Sequence, residues 1–348
     1  MSQPNQINVA VIGCGHWGKN LARNFHELNA LKAVHDIHPE RAQAVATLHG
    51  VDSKSQEAIY ADPQIAAIVV AVPSQSHYLV AKQALMADKH VFVEKPLTLD
   101  YTKAEQLVTL AKKRGRILMV GHLLQYHPAY QELKRLVQNN TIGPLKAIYA
   151  NRVSFGPVRM HENCLWDLAP HDFSMVLSLV NSPVANVSAF AQDHLIPNLP
   201  DTVTTNISFA NGVKARVFNS WFYPNKEQKF MAIGEKGALI FDDTQPWNKK
   251  LIHIPHSSQQ TRKGIDLTQD GNIFVTLTPA EPLKSECAHL IRCMENDKKP
   301  LTHAENAIVV MDLLQRSQNS IDCNQSKKQV EENSSKIENS HTRAESKC

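Results

Sequence analysis

Ile7-Asn8-Val9-Ala10-Val11-Ile12-Gly13-Cys14-Gly15-His16-Trp17-Gly18 is a β-branched run that opens into three glycines spaced GxGxxG. Leu21, Phe25 and Leu28 follow at helical spacing, so the stretch reads as strand, glycine turn, helix. In that setting Gly13 permits the tight turn, Gly15 lets the backbone approach a pyrophosphate, and Gly18 lets the helix close on the strand. The helix start, with His16 and Trp17 at its mouth, offers unpaired N–H groups and a partial positive charge to phosphates.

A glycine turn alone is weakly specific, so the context matters. Residues 31–36 read as a second strand that ends on Asp36, 23 residues after Gly13. A carboxylate there accepts from both ribose hydroxyls of NAD and repels a 2′-phosphate. The reading is therefore NAD rather than NADP, with Arg41 near enough to blur the choice. Asp36 could instead cap the helix announced by Pro39. Methyltransferases also combine a glycine turn with a strand-end acid, so S-adenosylmethionine stays open on the turn alone.

The apolar run 66–72 suits a central parallel strand and stops at Pro73-Ser74-Gln75-Ser76, a turn placed beside a cofactor. His77 opens the next helix, where a histidine is more often structural than functional. His90-Val91-Phe92-Val93-Glu94-Lys95-Pro96-Leu97 is then a buried strand that delivers Glu94 and Lys95 to its carboxyl end. Open α/β sheets bind ligands there. A helix ending at Gly115 and a strand over 116–120 complete a doubly wound, mostly parallel sheet.

The second half changes character. Residues 145–155, 184–190, 203–209, 213–221, 229–233 and 238–241 read as strands, with Asn211-Gly212 as a type I′ hairpin signal. Helical spacing returns from about 283 to 320. This predicts an α/β chain: residues 1–125 as a Rossmann domain, and 126–322 as an α+β domain with a large, mostly antiparallel open sheet. Residues 323–348 carry almost nothing apolar and are expected to be a disordered tail. An open sheet needs cover, which predicts a homo-oligomer.

Between those strands lies Trp166-Asp167-Leu168-Ala169-Pro170-His171-Asp172-Phe173. Pro170 suits a first helical turn, which puts Asp167 and His171 at a helix entrance, four residues apart. A carboxylate beside an imidazole orients it and raises its basicity, as a general base requires. The same spacing is common without function. His161, Glu162, Cys164, Asp167 and His171 are all metal-donor types, but they match no recognised zinc spacing, and no metal is expected. Arg152, Arg159 and Lys226 could pair with a pyrophosphate or simply be solvated.

Composition narrows the classes. A formal net charge of +4 with no Lys/Arg block points away from nucleic acid and membrane surfaces. The longest apolar run, 65–72, is too short to span a bilayer. With no basic segment leading an apolar one at the N-terminus, a cytoplasmic location is expected. Six cysteines at 14, 164, 287, 293, 323 and 348 form no CxxC pair, which fits reduced thiols.

Taken together, GxGxxG, a strand ending in Asp, "VP…H" and "KHVFVEKPL" make the chain, from about residue 6 to about 320, resemble the Gfo/Idh/MocA oxidoreductase family. The resemblance implies a substrate held between the second sheet and the nicotinamide, with Lys95 on the reacting hydroxyl. It also implies that the Lys95–Pro96 peptide is often cis. Asp167 and His171 match the family's D-x-G-x-H-x-x-D. Ala169 replaces its glycine and Ser174 its last acid, which leaves the local backbone and substrate contacts open. The stretches "GPVRMHENCLWDLAPHDFS" and "NSWFYPNKEQKFMAIGEKGALIFDD" resemble the branch that oxidises the 3-hydroxyl of UDP-N-acetylglucosamine or its uronic acid in surface-polysaccharide and lipid A synthesis. A UDP-sugar is thus the expected substrate, with Lys95, Arg152, Arg159, Asp167 and His171 around it. A free sugar or cyclitol substrate, and a non-catalytic NAD-binding regulator, are the alternatives.

Overall fold

The computed structural model describes residues 7–160 and 162–345, with 325 and 327–345 as backbone alone. Six parallel strands form the first sheet: β1 (Val9–Ile12), β2 (Leu31–His35), β3 (Asp52–Ser53), β4 (Ala67–Val70), β5 (His90–Glu94) and β6 (Leu118–Gly121). Their order is β3-β2-β1-β4-β5-β6. The central strands are apolar in sequence and buried on both faces because helices cover both sides. Those helices are α1 (His16–Glu27), α2 (Pro39–His49), α3 (Gln56–Ala61), α4 (Ser74–Met86) and α5 (Tyr101–Arg114). Asp100 caps α5 by accepting from the Lys103 N–H, and Gly115 ends it with φ 59°, as expected.

A short 3-10 turn (Leu123–Tyr126) and α6 (Pro128–Gln138) lead into the second sheet, which has nine strands. These are β7 (Leu145–Phe155), β8 (Val184–Gln192), β9 (Thr202–Phe209), β10 (Lys214–Ser220), β11 (Phe222–Gly234), β12 (Gly237–Asp242), β13 (Leu251–Thr261), β14 (Gly264–Gln269) and β15 (Ile273–Phe274). They run β14-β13-β12-β11-β7-β10-β9-β8, with β15 beside β13. All pairs are antiparallel except β7 with β10. The helix α7 (Cys164–Val180) packs on β7, β9 and β10 of the second sheet.

Five points differ from the sequence reading. Strands β13 to β15 were not anticipated, since their polar stretches carry little of the alternation that marks a half-buried strand. At the Asn211-Gly212 hairpin only Gly212 has positive φ (87°), so the turn is not type I′. The α7 helix begins at Cys164, capped by the Asn163 side chain on the Trp166 N–H, which leaves Pro170 inside it. The long helix α9 (Ala304–Glu345) continues through the residues expected as a tail. Extending an existing helix is far easier than nucleating one, and Lys, Gln and Glu there are good formers.

The fifth difference concerns packing across the expected domain boundary. Leu283, Cys287 and Leu290 of α8 (Pro282–Glu295) share one core with Val9, Val11, Leu21, Phe25 and Phe92. So α8 belongs by sequence to the second half but completes a face of the first sheet.

Candidate active site

The glycine turn forms one end of a cavity of about 710 Å³. Gly13 has φ 100°, and a Cβ there would sit 2.5 Å from the Ala71 carbonyl oxygen. At Gly18 a Cβ would fall 1.8 Å from the Gly13 oxygen, so the helix can close on the turn only with glycine. Around Gly15 nothing lies within 4 Å of that position, which leaves the backbone open to a ligand. Gly15 is also the N-cap of α1 and no side chain caps the helix, so its first N–H groups face the cavity mouth. These features fit the pyrophosphate of a dinucleotide.

Asp36 lines the same cavity. Its carboxylate accepts the Cys14 N–H at 2.7 Å and the His38 N–H at 2.9 Å, one on each oxygen. Each oxygen keeps a lone pair for a ribose hydroxyl. His38, not Asp36, is the N-cap of α2. His16, Trp17, Pro73, Ser74, His77, Glu94 and Lys95 also line this cavity, as does Arg41. Of the expected cofactor residues only Gly18 does not, because it is buried in the turn.

His77 does more bracing than binding. Its Nδ1 lies 2.8 Å from the Pro96 oxygen and its Nε2 2.9 Å from the Val72 oxygen, and it is 2 % exposed. It therefore ties the β4 turn to the β5 end. The Lys95–Pro96 peptide is cis. Burial pushes the Glu94 carboxyl up to about 7 against the opposing pull of Lys95.

The second half closes the cavity with Arg159, Met160, Glu162 and Asp167. Here the Lys95 ammonium donates to the Asp167 main-chain oxygen at 2.7 Å and lies 3.4 Å from its carboxylate. The Trp221 indole N–H donates to the other carboxylate oxygen at 3.1 Å. The expected Asp167–His171 pair is thus not formed, since a cation and an indole N–H claim the carboxylate. His171 stands one turn along α7. Burial, then the charges of Lys95 and Arg152, hold its imidazole well below the ordinary histidine range.

Arg152 departs from expectation as well. It makes a two-pronged bond to Asp172 (3.1 and 3.0 Å), and Asn219 donates to the same carboxylate at 3.1 Å. Asp172 is 1 % exposed, so the arginine neutralises a buried charge and is not free for a phosphate. Arg159, by contrast, has a side chain 51 % exposed and reaches Asp167 only at 3.8 Å. Among the described residues no group of three or more His, Cys, Asp or Glu is placed to hold a metal ion, and His161 lies outside those residues. Trp221 was missed as a site residue: it stood in a quoted strand stretch, but nothing in its spacing tied it to Asp167.

Residues 7–122 match the family model for the Gfo/Idh/MocA NAD-binding Rossmann fold, and residues 130–240 match the model for that family's C-terminal domain. The chain belongs to the Gfo/Idh/MocA oxidoreductase family. As a family member it is an NAD-binding dehydrogenase, and its relatives act on sugar or cyclitol hydroxyls. The UDP-N-acetylglucosamine 3-dehydrogenase of Acidithiobacillus ferrooxidans is 30% identical over 266 residues, 76% of this chain and 82% of that one. The scyllo-inositol 2-dehydrogenase (NAD(+)) of Bacillus subtilis is 26% identical over 331 residues, 89% of this chain and 92% of that one. A solved structure of the Acidithiobacillus enzyme superposes with TM-score 0.80 at 22% identity, covering 91% of this chain and 98% of that one. At that identity the superposition speaks for the Gfo/Idh/MocA fold.

Proposed function

We propose that this dehydrogenase oxidises the C3 hydroxyl of a UDP-N-acetylhexosamine, or of its uronic acid, to a ketone, as a step of surface-polysaccharide or lipid A synthesis. The observation that carries the reading is the Lys95 ammonium, held on Asp167 where both halves close the nucleotide cavity. Likeness to the Acidithiobacillus UDP-sugar enzyme supports the substrate class.

When bound between Gly13, Gly15, the α1 N-terminus and Asp36, NAD supplies the hydride acceptor. Lys95 donates a hydrogen bond to the substrate hydroxyl oxygen and stabilises the negative charge that grows there. Asp167 and Trp221 hold that lysine in place. His171 is neutral at pH 7 because burial and two nearby cations disfavour its charged form, so it can accept the hydroxyl proton. Arg159, exposed at the cavity rim, is the cation available to the substrate pyrophosphate. The outer face of the second sheet carries Tyr149 and Phe190, at 37% and 60% exposure, which supports self-association.

The test is mass spectrometry of UDP-N-acetylglucosamine and its uronic acid after incubation with protein, NAD and a hydrazine trap. A trapped C3 ketone is expected. No ketone with NAD binding intact overturns the sugar assignment and moves the search to cyclitols, which the long match to an inositol dehydrogenase favours.

A further inference from the structure

The α7 helix is apolar and buried along most of its surface, yet Asp167, His171, Ser174 and Ser178 recur at i, i+4, i+7 and i+11 and form one polar stripe. The stripe links two cavities. Asp167 lines the nucleotide cavity, and Ser174 and Ser178, farther along the helix, line a second, rear cavity of about 470 Å³. His122, Gln125 and Lys134 line that rear cavity too.

Most polar groups in this wall are satisfied. Gln125 Nε2 donates to the Ser174 oxygen at 2.8 Å and to Ser178 Oγ at 3.0 Å. Tyr130 donates to the Met175 oxygen at 2.7 Å, and Ser174 Oγ to the His171 oxygen at 2.9 Å. The imidazoles are the exception. His122 is 4 % exposed, and neither ring nitrogen has a partner among the described residues; nor does His171 Nδ1. Orphaned buried nitrogens demand an account, and these sit between a reaction site and a cavity.

We propose that His122 is a proton relay, passing the proton taken up by His171 to the rear cavity and on to solvent. The proposal rests on the reading of His171 as proton acceptor. The substrate O–H bond breaks, and His171 gains that proton on one nitrogen and gives up the Nδ1 proton. One His122 nitrogen takes it, directly or across one water, while the other releases a proton to water in the cavity. Only protons travel this path. The charges that act on the two rings are Lys95 and Arg152 on His171 and Lys95 on His122, with Lys134 on the rear cavity; Lys95 and Arg152 are themselves paired with Asp167 and Asp172. They disfavour a resting imidazolium, so the proton must move on. Burial places His122 at about 4, neutral at pH 7, with one nitrogen free to accept and one to donate.

The test uses the full chain with [15N]histidine, and no substrate is needed. Exchange of the His171 ring N–H into D2O is expected to slow at least about tenfold in His122→Gln, which keeps a polar side chain of similar size. An unchanged rate overturns the relay. With any alcohol the wild type oxidises, His122→Ala should lower kcat at least about tenfold with KM little changed, and added imidazole should restore it. A KM effect alone, or a loss that imidazole does not restore, assigns His122 to packing and overturns the relay. The exchange rate is independent of sugar identity, so it fails separately from the ketone assay.

Discussion

The Lys95 ammonium lies 2.7 Å from the main-chain oxygen of Asp167, although the two residues are 72 positions apart and come from the two halves of the molecule. The contact joins the end of β5 to the first turn of α7, and both residues line the nucleotide cavity. On the proposed mechanism Lys95→Ala removes the cation at the reacting oxygen but none of the glycine turn or Asp36. Turnover should fall by about 10³, and NAD affinity by calorimetry should stay nearly unchanged. Loss of NAD binding would show that the lysine holds the cofactor instead.

Trp221→Phe tests whether Asp167 needs its indole partner. The change deletes one N–H donor at 3.1 Å and keeps most of the ring's volume. The fold should lose about 1 kcal/mol. If the indole positions Asp167 and through it Lys95, kcat should drop about tenfold with the NAD dissociation constant unchanged. Equal kcat in both proteins would leave Trp221 as packing alone.

Arg152 and Asp172 make a scaffold prediction. Arg152→Met strips a carboxylate that is 1 % exposed of its cation and should destabilise the protein by about 3 to 5 kcal/mol in urea unfolding. The double change Arg152→Met, Asp172→Leu should recover much of that. A raised substrate KM with stability intact would return Arg152 to the substrate.

Glu94 makes stability depend on pH. Its carboxyl lies at about 7 in the folded protein against 4.5 ordinarily, chiefly through burial. Between those values the folded state binds more protons than the unfolded one, so this group's contribution falls as pH rises. Glu94→Gln should therefore raise the melting temperature above pH 7, by the equivalent of about 3 kcal/mol at most, with the gain shrinking towards pH 4.5. A gain that is larger in acid than at pH 8 would contradict the burial account.

What was legible in the sequence follows from where local rules suffice. The glycine turn, Asp36 and the Glu94-Lys95-Pro96 end announce themselves because tight turns and parallel strands restrict residue types locally. The steric demands at Gly13 and Gly18, and the open space at Gly15, are visible in the turn itself. Contacts that join distant segments were not legible. Asp167 and His171 stand four apart, which suggested a pair, but the carboxylate's partners come from residues 95 and 221. Arg152 looked like a free cation because Asp172 and Asn219 meet it only after β7, α7 and β10 pack together. Pro170 misled the start of α7, since the Asn163 cap lies seven residues earlier and outweighs it.

The return of α8 to the first sheet bears on how the chain is made. Synthesis runs from the N-terminus, and domains generally fold as units as they emerge. Here Val9, Val11, Leu21 and Phe25 emerge more than 250 residues before part of their cover, Leu283, Cys287 and Leu290. The nucleotide-binding half therefore lacks part of its apolar cover until α8 has been made. A nascent chain stalled before residue 282 should be a chaperone client, released only once that helix has arrived.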